Sequence, residues 1–170
     1  MKSAYGRHAE ASAVLAATPA AAFAFLDDHR RLSSHMESSS MMMAGSAMKI
    51  ETDEFRGQEI GSRIRTAGHA LGLALAVEQV VIERDPPWRK TWETVGQPRL
   101  LVIGAYRMGF VVQPDAAGSR VTVWIDYAPP KGNALLGRLF GRVYARWCTA
   151  RMAHDAAARL EPAAPQVWRQ

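Results

Sequence analysis

Apolar and polar residues alternate along most of this chain with a period of two, which is typical of half-buried β-strands. Seven segments show the alternation or a related apolar pattern: 8–17, 49–53, 60–67, 73–84, 88–95, 100–113 and 120–128. Turns rich in Pro, Gly and Asp separate most of them. We therefore predict an antiparallel sheet of about seven strands.

Three helices are predicted around this sheet. Thr18 followed by Pro19 marks the first, because the hydroxyl caps free N–H groups and proline fits the first helical position. A second short helix covers 29–36, and a long helix covers 133–160 after the last strand. One apolar stripe of the long helix is predicted to face the sheet: Leu136, Leu139, Phe140, Val143, Trp147 and Ala150.

The order of elements predicts an α+β fold, in which a curved antiparallel sheet wraps around one long C-terminal helix. The strands over 100–113 and 120–128 can be aligned so that their apolar faces match. Tyr106 then lies opposite Tyr127 on the inner face, and Arg107 lies opposite Asp126 on the outer face. This register makes Arg107 and Asp126 a surface salt bridge rather than a catalytic pair.

A cavity is expected between the sheet and the long helix, since side chains rarely fill such a space completely. The predicted inner face is aromatic and apolar, and tyrosine hydroxyls are its polar groups. The candidate ligand-cavity residues are Trp88, Trp92, Tyr106, Met108, Phe110, Tyr127, Val143 and Trp147. The pattern contains no metal-ligand cluster and no nucleophile motif, so no catalytic residue, metal or cofactor is predicted.

Five of the eight methionines lie between His35 and Met48, in a stretch otherwise rich in Ser, Ala and Gly. Three explanations stay open at this point. The methionines could pack the core, they could form an adaptable apolar wall for a ligand, or their thioethers could bind copper(I) together with His35. We place this stretch at the cavity mouth, with these candidate residues: His35, Met36, Met41, Met42 and Met43.

Composition narrows the classes of protein. A chain of 170 residues with 48% hydrophobic residues predicts one folded domain, which we place at 1–161 with a C-terminal tail at 162–170. The single cysteine excludes an internal disulfide and favours a cytoplasmic location. The net charge of +5 is scattered rather than clustered, so no nucleic-acid partner is predicted. No apolar run is long enough for an integral membrane segment, and a homodimer stays open.

Five stretches carry a resemblance to a known family: TPAAAFAFLDDHRRLSSHM, ERDPPWRKTWETVG, LLVIGAYRMGFVV, VWIDYAPP and LLGRLFGRVYARWCTARMAHDA. In these stretches and in the order of its elements, the chain resembles the START-like helix-grip superfamily (SRPBCC), in its bacterial polyketide cyclase/dehydrase-like branch. The resemblance implies a ligand cavity between sheet and long helix, entered near the loops and short helices. It carries over no catalytic residue.

Three functions follow as hypotheses. The first is binding of an apolar small molecule, such as a lipid, polyketide or aromatic metabolite, in the predicted cavity. The second is a polyketide cyclase or dehydratase activity on a cavity-bound substrate, which needs at least one cavity group with a shifted pKa. The third is a protein- or membrane-interaction module with a filled core, in which Trp124, Val111 and the arginines of the long helix contact the partner.

Overall fold

Seven antiparallel strands form one sheet in the computed structural model, which describes residues 5–32, 48–132 and 134–160. The strands are β1 (Arg7–Leu15), β2 (Met48–Thr52), β3 (Arg63–Ala70), β4 (Leu73–Asp85), β5 (Arg89–Arg99), β6 (Tyr106–Asp115) and β7 (Gly118–Tyr127). Their order across the sheet is β1-β7-β6-β5-β4-β3-β2, so the chain meanders from β2 to β7 and then pairs β7 with β1. This confirms the predicted sheet.

Two short helices follow β1, as predicted, and a long helix follows β7. They are α1 (Pro19–Asp27), α2 (His29–Leu32) and α3 (Ala134–Arg159). The Thr18 hydroxyl accepts a hydrogen bond from the Ala21 amide at 3.3 Å, which is the cap expected from the sequence. Helix α3 packs chiefly against β1 and β7. Among the described residues, no helix has the length and hydropathy to cross a bilayer.

The register of β6 and β7 is the one predicted, with Tyr106 opposite Tyr127 and Arg107 opposite Asp126. The predicted salt bridge between Arg107 and Asp126 is wrong, however. Arg107 instead pairs with Glu93 on β5 at 2.9 Å, and Asp126 bonds to His8 on β1 at 2.7 Å. Each charge has a partner on its other neighbouring strand, which an alignment of only two strands could not show.

The predicted inward stripe of α3 is wrong for Leu136, Leu139, Phe140 and Val143, whereas Trp147 is half-buried and packs against the core. Small and medium-sized side chains face the sheet instead, and they are Gly137, Gly141, Ala145, Cys148, Thr149, Met152, Ala153 and Ala156. The helix lies so close to the rest of the fold that a Cβ at Gly141 would come within 2.8 Å of the Val102 carbonyl oxygen. Large side chains have no room at that separation, so Leu136, Leu139, Phe140 and Val143 face outward and are exposed.

The apolar segment 100–113 is not the single strand that its pattern predicts. Residues 100–105 are irregular, and β6 begins only at Tyr106. Two backbone hydrogen bonds tie this connection to the end of β7: the Gly104 amide donates to the Ala128 carbonyl, and the Ala128 amide donates to the Ala105 carbonyl. The connection therefore passes under the first half of α3, with Val102 against the helix glycines.

Candidate functional site

A small internal cavity of about 30 Å³ lies between the sheet and α3. Its lining comes from the middle of the sheet, from α3, from α2 and from the β5–β6 connection: Thr66, Gln79, Trp92, Tyr106, Met108, Ile125, Tyr144, Cys148, Met152, His29 and Ile103. A volume of about 10–15 Å³ is enough for one water molecule, so this cavity has room for roughly two. It is far below the 300 Å³ or so at which typical small-molecule sites begin.

The cavity is small because rings and thioethers fill the space that the narrow gap leaves. Trp92 packs edge-on against His29 with ring centroids 5.1 Å apart, and it also lies 6.4 Å from Phe110. Met108 and Met152 enter from the sheet and from α3, and both are buried. Two methionines and a tryptophan thus occupy the centre of the fold, where methionine adapts readily to the space available.

The predicted cavity residues divide into three groups. Trp92, Tyr106 and Met108 line the internal cavity. Phe110 and Tyr127 are fully buried in the surrounding core, and Trp147 packs beside Tyr144 against a small cluster of buried side chains. The five of these residues that lie on strands occupy inward positions of the sheet, and Trp147 lies on α3.

Trp88 and Val143 do not line the cavity, which corrects their placement. Trp88 has the inward parity of Lys90 and Trp92, but it lies in the turn before β5 and its surface is 43% exposed. Because β5 begins only at Arg89, Trp88 lies past the end of the strand, and its side chain is not covered by the core. Val143 lies on the outward side of α3 because the small side chains of that helix take the inner side.

Two polar side chains, Gln79 and Tyr106, meet within this otherwise apolar centre. The Gln79 side-chain amide donates a hydrogen bond to the Tyr106 hydroxyl at 2.5 Å, and both side chains are buried. The Gln79 side-chain oxygen is buried with no hydrogen-bond partner among the described residues. A buried amide oxygen is a strong acceptor that water no longer satisfies, so it can bind the hydroxyl or N–H of a ligand.

Burial raises the pKa of three titratable groups in this centre. It raises the pKa of the Cys148 thiol to about 12, and it raises the pKa of Tyr106 and of Tyr144 above the ordinary range. The cause is the same in each case, since a low-dielectric surrounding disfavours the charged form. These three groups therefore act as hydrogen-bond donors and acceptors rather than as proton carriers at neutral pH.

A larger groove of about 450 Å³ opens at one end of the sheet, beside the start of α3. Its apolar lining comes from β4, the β5–β6 connection and the segment after β7, and it includes Leu73, Leu75, Leu100, Leu101, Pro129 and Pro130. Two cations, Arg99 and Lys131, also lie in the lining, and none of the described residues that line it is a carboxylate. The groove thus combines apolar walls with positive charge.

The groove and the internal cavity lie back to back. Ile103 lines the cavity and Gly104, the next residue, lines the groove. Leu101 and Tyr144 pack against the same cluster, which includes Leu75; Leu101 belongs to the groove and Tyr144 to the cavity. The β5–β6 connection therefore lines both spaces.

Sequence reasoning missed the polar members of this centre. Thr66 and Gln79 lie on β3 and β4 at positions that face the core, and each is nearly inaccessible to solvent. The signal was present: Gln79 has the same parity as Val77 and Val81 on an alternating strand. A polar residue at an inward position needs a partner, and that need marks it as a candidate.

A separate buried ion network joins α1 to the sheet. Lys90 is fully buried and its ammonium group donates to the Asp27 carboxylate at 2.9 Å and to the Asp27 carbonyl at 2.7 Å. Arg84 donates to the same carboxylate at 2.7 Å. Burial lowers the pKa of Lys90 while Asp27 opposes that effect. Each of these three charged groups has a partner in the network. The network therefore fixes α1 to the sheet rather than binding a ligand.

The cavity-mouth candidates His35, Met36, Met41, Met42 and Met43 lie outside the described residues. Their neighbours in sequence are placed: Leu32 ends α2 in the core, and Met48 begins β2 packed near Tyr144 and Trp147. Over 5–32, 48–132 and 134–160, no group of three His, Cys, Asp or Glu side chains could hold a metal ion.

The fold resembles many solved structures at low sequence identity. The aromatase/cyclase Zhui from Streptomyces sp. R1128 has a TM-score of 0.69 at 12% identity, with 91% of this chain and 93% of that chain covered. TTHA0849 from Thermus thermophilus has a TM-score of 0.65 at 14% identity, covering 91% and 97%. Ginseng major latex-like protein 151 from Panax ginseng has a TM-score of 0.56 at 11% identity, covering 92% and 98%.

These likenesses show a shared fold, since the identities are too low to carry an activity. No curated protein sequence matches this chain. A family model described as "Polyketide cyclase / dehydrase and lipid transport" matches residues 7–164, which is nearly the whole chain. With its curved seven-stranded sheet, two short helices after β1 and long C-terminal helix, the chain belongs to this family, within the SRPBCC superfamily of helix-grip proteins.

Proposed function

We propose that this protein binds an elongated apolar small molecule that has an anionic end. The observation that carries the proposal is the groove of about 450 Å³, which has apolar walls, Arg99 and Lys131 in its lining, and no carboxylate among the described residues that line it. Its volume lies within the range of about 300–1,000 Å³ that is typical of small-molecule sites. The family and its fold, which suit hydrophobic ligands, support the same conclusion.

Burial of apolar surface would supply most of the affinity, at about 25 cal/mol for each Å² removed from water. Leucine and proline side chains offer that surface in the groove. The two cations would then select an anionic end, because a carboxylate or phosphate beside Arg99 and Lys131 meets no opposing charge from the described lining. Charge would orient the ligand, and the apolar walls would hold it.

The internal cavity would receive only the far end of such a ligand. Its volume of about 30 Å³ requires Leu101 and Tyr144 to move before more than a few atoms can enter. The Gln79 side-chain oxygen would then accept a hydrogen bond from a hydroxyl on that end. A ligand with a polar group at each end and an apolar middle therefore fits both spaces.

Three groups of the cavity lining are unsuited to proton transfer near neutral pH. A cyclase or dehydratase needs a group that exchanges protons near neutral pH. Burial instead raises the pKa of Tyr106, Tyr144 and Cys148, so each of these stays protonated at neutral pH. Tyr106 remains a candidate for orienting a carbonyl or hydroxyl of the bound molecule, and it would do so without giving up its proton.

The test begins with native mass spectrometry of the purified protein before and after organic extraction. Palmitate and hexadecanol then serve as matched probes, because they share a chain and differ in charge. We expect palmitate to bind more tightly, and we expect Arg99→Gln with Lys131→Gln to weaken palmitate binding while leaving hexadecanol unchanged. Leu101→Asp should weaken both probes by at least about tenfold, since it places a charge against the ligand chain.

Ile60→Asp is the matched control, because Ile60 is exposed and lies beyond the opposite end of β3. That variant should bind both probes as the parent protein does. Thermal melts establish that each variant is folded before binding is compared. Equal affinity of Leu101→Asp and Ile60→Asp for palmitate, with both proteins folded, would remove the groove as the binding site.

A further inference from the structure

The outward side of α3 carries a contiguous apolar surface near the start of the helix. Five large side chains form it, each between 41% and 70% exposed: Leu135, Leu136, Leu139, Phe140 and Val143. Single exposed apolar residues are ordinary on a protein surface. A run of five on three helical turns is not, and exposed patches of this kind mark interaction sites. We call this surface the α3 outer face.

A row of arginines without an ion pair among the described residues runs along one side of the α3 outer face. Arg138, Arg142 and Arg146 lie on the same helix, and none forms a salt bridge with any residue the structure describes. Arg99 and Lys131, at the nearby groove, likewise have no ion pair within the described part of the chain. The sequence from Tyr127 to His154 contains no Asp or Glu at all. The positive charge of this region is therefore uncompensated.

Some surface arginines elsewhere are paired, although Arg30 and Arg56 have no ion pair with any described residue either. Arg63 bonds to Glu78, Arg107 to Glu93, and Arg120 to Asp115. What distinguishes the α3 outer face is that arginines without an ion pair among the described residues lie beside five exposed large apolar side chains. An apolar strip flanked by basic residues is the pattern of a helix that lies in the plane of a bilayer surface.

We propose that the α3 outer face docks on an anionic lipid bilayer. The apolar side chains would enter the boundary between headgroups and acyl chains, while the arginines contact the acidic headgroups. The groove rim includes Lys131, just before α3, and Leu73, so the groove would open beside the docked surface. This docking does not depend on the ligand proposed above, and it can be tested without one.

Two other occupants fit the same surface less well. In a symmetric dimer this face would meet its own copy, and Arg138, Arg142 and Arg146 would then oppose like charges with no carboxylate between them. A nucleic acid would match the charge, but it would leave Leu139 and Phe140 exposed to water in the complex. Of these three occupants, the anionic bilayer is the one that satisfies both the charge and the apolar side chains.

The experiment is co-sedimentation of the full chain with vesicles of phosphatidylcholine alone or mixed with phosphatidylserine, at low and high salt. We expect binding to the mixed vesicles, weaker binding at high salt, and little binding to phosphatidylcholine alone. A double variant Arg138→Gln with Arg142→Gln should bind about 25-fold more weakly, at roughly fivefold for each arginine. Leu139→Gln with Phe140→Gln should bind at least about tenfold more weakly.

Matched controls come from the opposite end of the sheet. Ile60 and Phe55 are 67% and 45% exposed, close to the 60% and 53% of Leu139 and Phe140. Arg30→Gln with Arg56→Gln removes the same charge from a region that contains Asp28, Asp53 and Glu54. Neither Ile60→Gln with Phe55→Gln nor the arginine control should change vesicle binding.

Three results would overturn the proposal. The first is an absence of selectivity, seen either as equal binding to both vesicle types or as equal losses of vesicle binding in the test and control variants. The second is a dimer, measured by light scattering, that Leu139→Gln with Phe140→Gln dissociates, since the face would then join two copies. The third is vesicle binding that the arginine variant reduces and the apolar variant leaves unchanged, because that describes a general polyanion surface.

Discussion

The space between the sheet and α3 has two ends, and they are built differently. At one end α1 closes the space with aromatic rings and buried charge: Phe23 packs on Phe110 at a centroid distance of 5.6 Å, and Lys90 reaches the Asp27 carboxylate. At the other end, closure relies on backbone contacts. A Cβ at Gly104 would lie 2.6 Å from the Pro129 carbonyl oxygen, and one at Gly141 2.8 Å from that of Val102.

This difference indicates where a ligand can enter. Interlocked rings and a satisfied ion network resist rearrangement, because opening them exposes apolar surface and leaves a buried charge without its partner. Connections held by backbone contacts leave a groove beside them and can shift with a smaller loss. The α1 end therefore supports stability, and the groove end is the better place for binding.

The largest expected effect comes from breaking the α1 end. Asp27→Ala removes the carboxylate that receives Arg84 and Lys90, and it leaves the buried ammonium of Lys90 with only the Asp27 backbone carbonyl. We expect a loss of about 3–5 kcal/mol in the free energy of unfolding, measured with urea.

Glu93→Ala provides the matched control for Asp27→Ala. It removes a carboxylate from the partly exposed pair with Arg107 and should cost at most about 1 kcal/mol. Similar losses in the two variants would contradict the expectation that the buried α1 network contributes more to the free energy of unfolding than an exposed ion pair does.

The centre between the two ends should respond to alkaline pH. In the unfolded chain the Cys148 thiol ionises near its ordinary value of 9.0, whereas burial raises its pKa to about 12 in the folded protein. The folded state therefore keeps a proton that the unfolded state releases. The thiol's contribution to the free energy of unfolding is fully present below pH 9 and is lost as the pH rises toward 12. The thiol alone contributes about 1.4 kcal/mol for each pH unit in this window.

Urea unfolding at a series of pH values measures this effect, and Cys148→Ala isolates it. The variant should lose about 2 kcal/mol less than the parent protein between pH 9 and pH 11. Buried Tyr106 and Tyr144 act in the same direction and remain in both proteins, because burial also raises their pKa. Identical pH profiles of the two proteins would show that the thiol ionises as easily in the folded state as in the unfolded one.

The smallest effect is expected at the groove end. Gly141→Ala adds a methyl group 2.8 Å from the Val102 carbonyl oxygen, so α3 or the β5–β6 connection must shift. The gain in helix propensity of about 1 kcal/mol partly offsets an overpacking cost of about 1–3 kcal/mol. We expect a net loss of at most about 2 kcal/mol in unfolding free energy, together with stronger binding of an apolar fluorescent dye as the groove widens.

Arg142→Ala is the control for Gly141→Ala, because it changes the next residue on the exposed side of α3. It should change neither stability nor dye binding by a measurable amount. A Gly141→Ala protein more stable than its parent would mean that the close approach of α3 to Val102 does not restrain the helix.

The sequence alone determined most of the elements and the register between β6 and β7. Alternation of period two marks inward and outward positions on a strand, so the register of Tyr106 with Tyr127 follows from the order of residues alone. The helix start at Thr18 and Pro19 was equally predictable, because capping is a local interaction. Trp92, Tyr106 and Met108 of the candidate site follow from the same alternation.

Only the tertiary structure decided which side of α3 faces the sheet and where the open space lies. Hydrophobic periodicity favoured the stripe with Leu139 and Val143, but contact distance favoured Gly141 and Ala145, because a close approach excludes large side chains. Parity could not show that Trp88 lies past the end of the sheet. Local pattern fixes the direction of a side chain along a strand, whereas the distance between two packed layers depends on the whole fold.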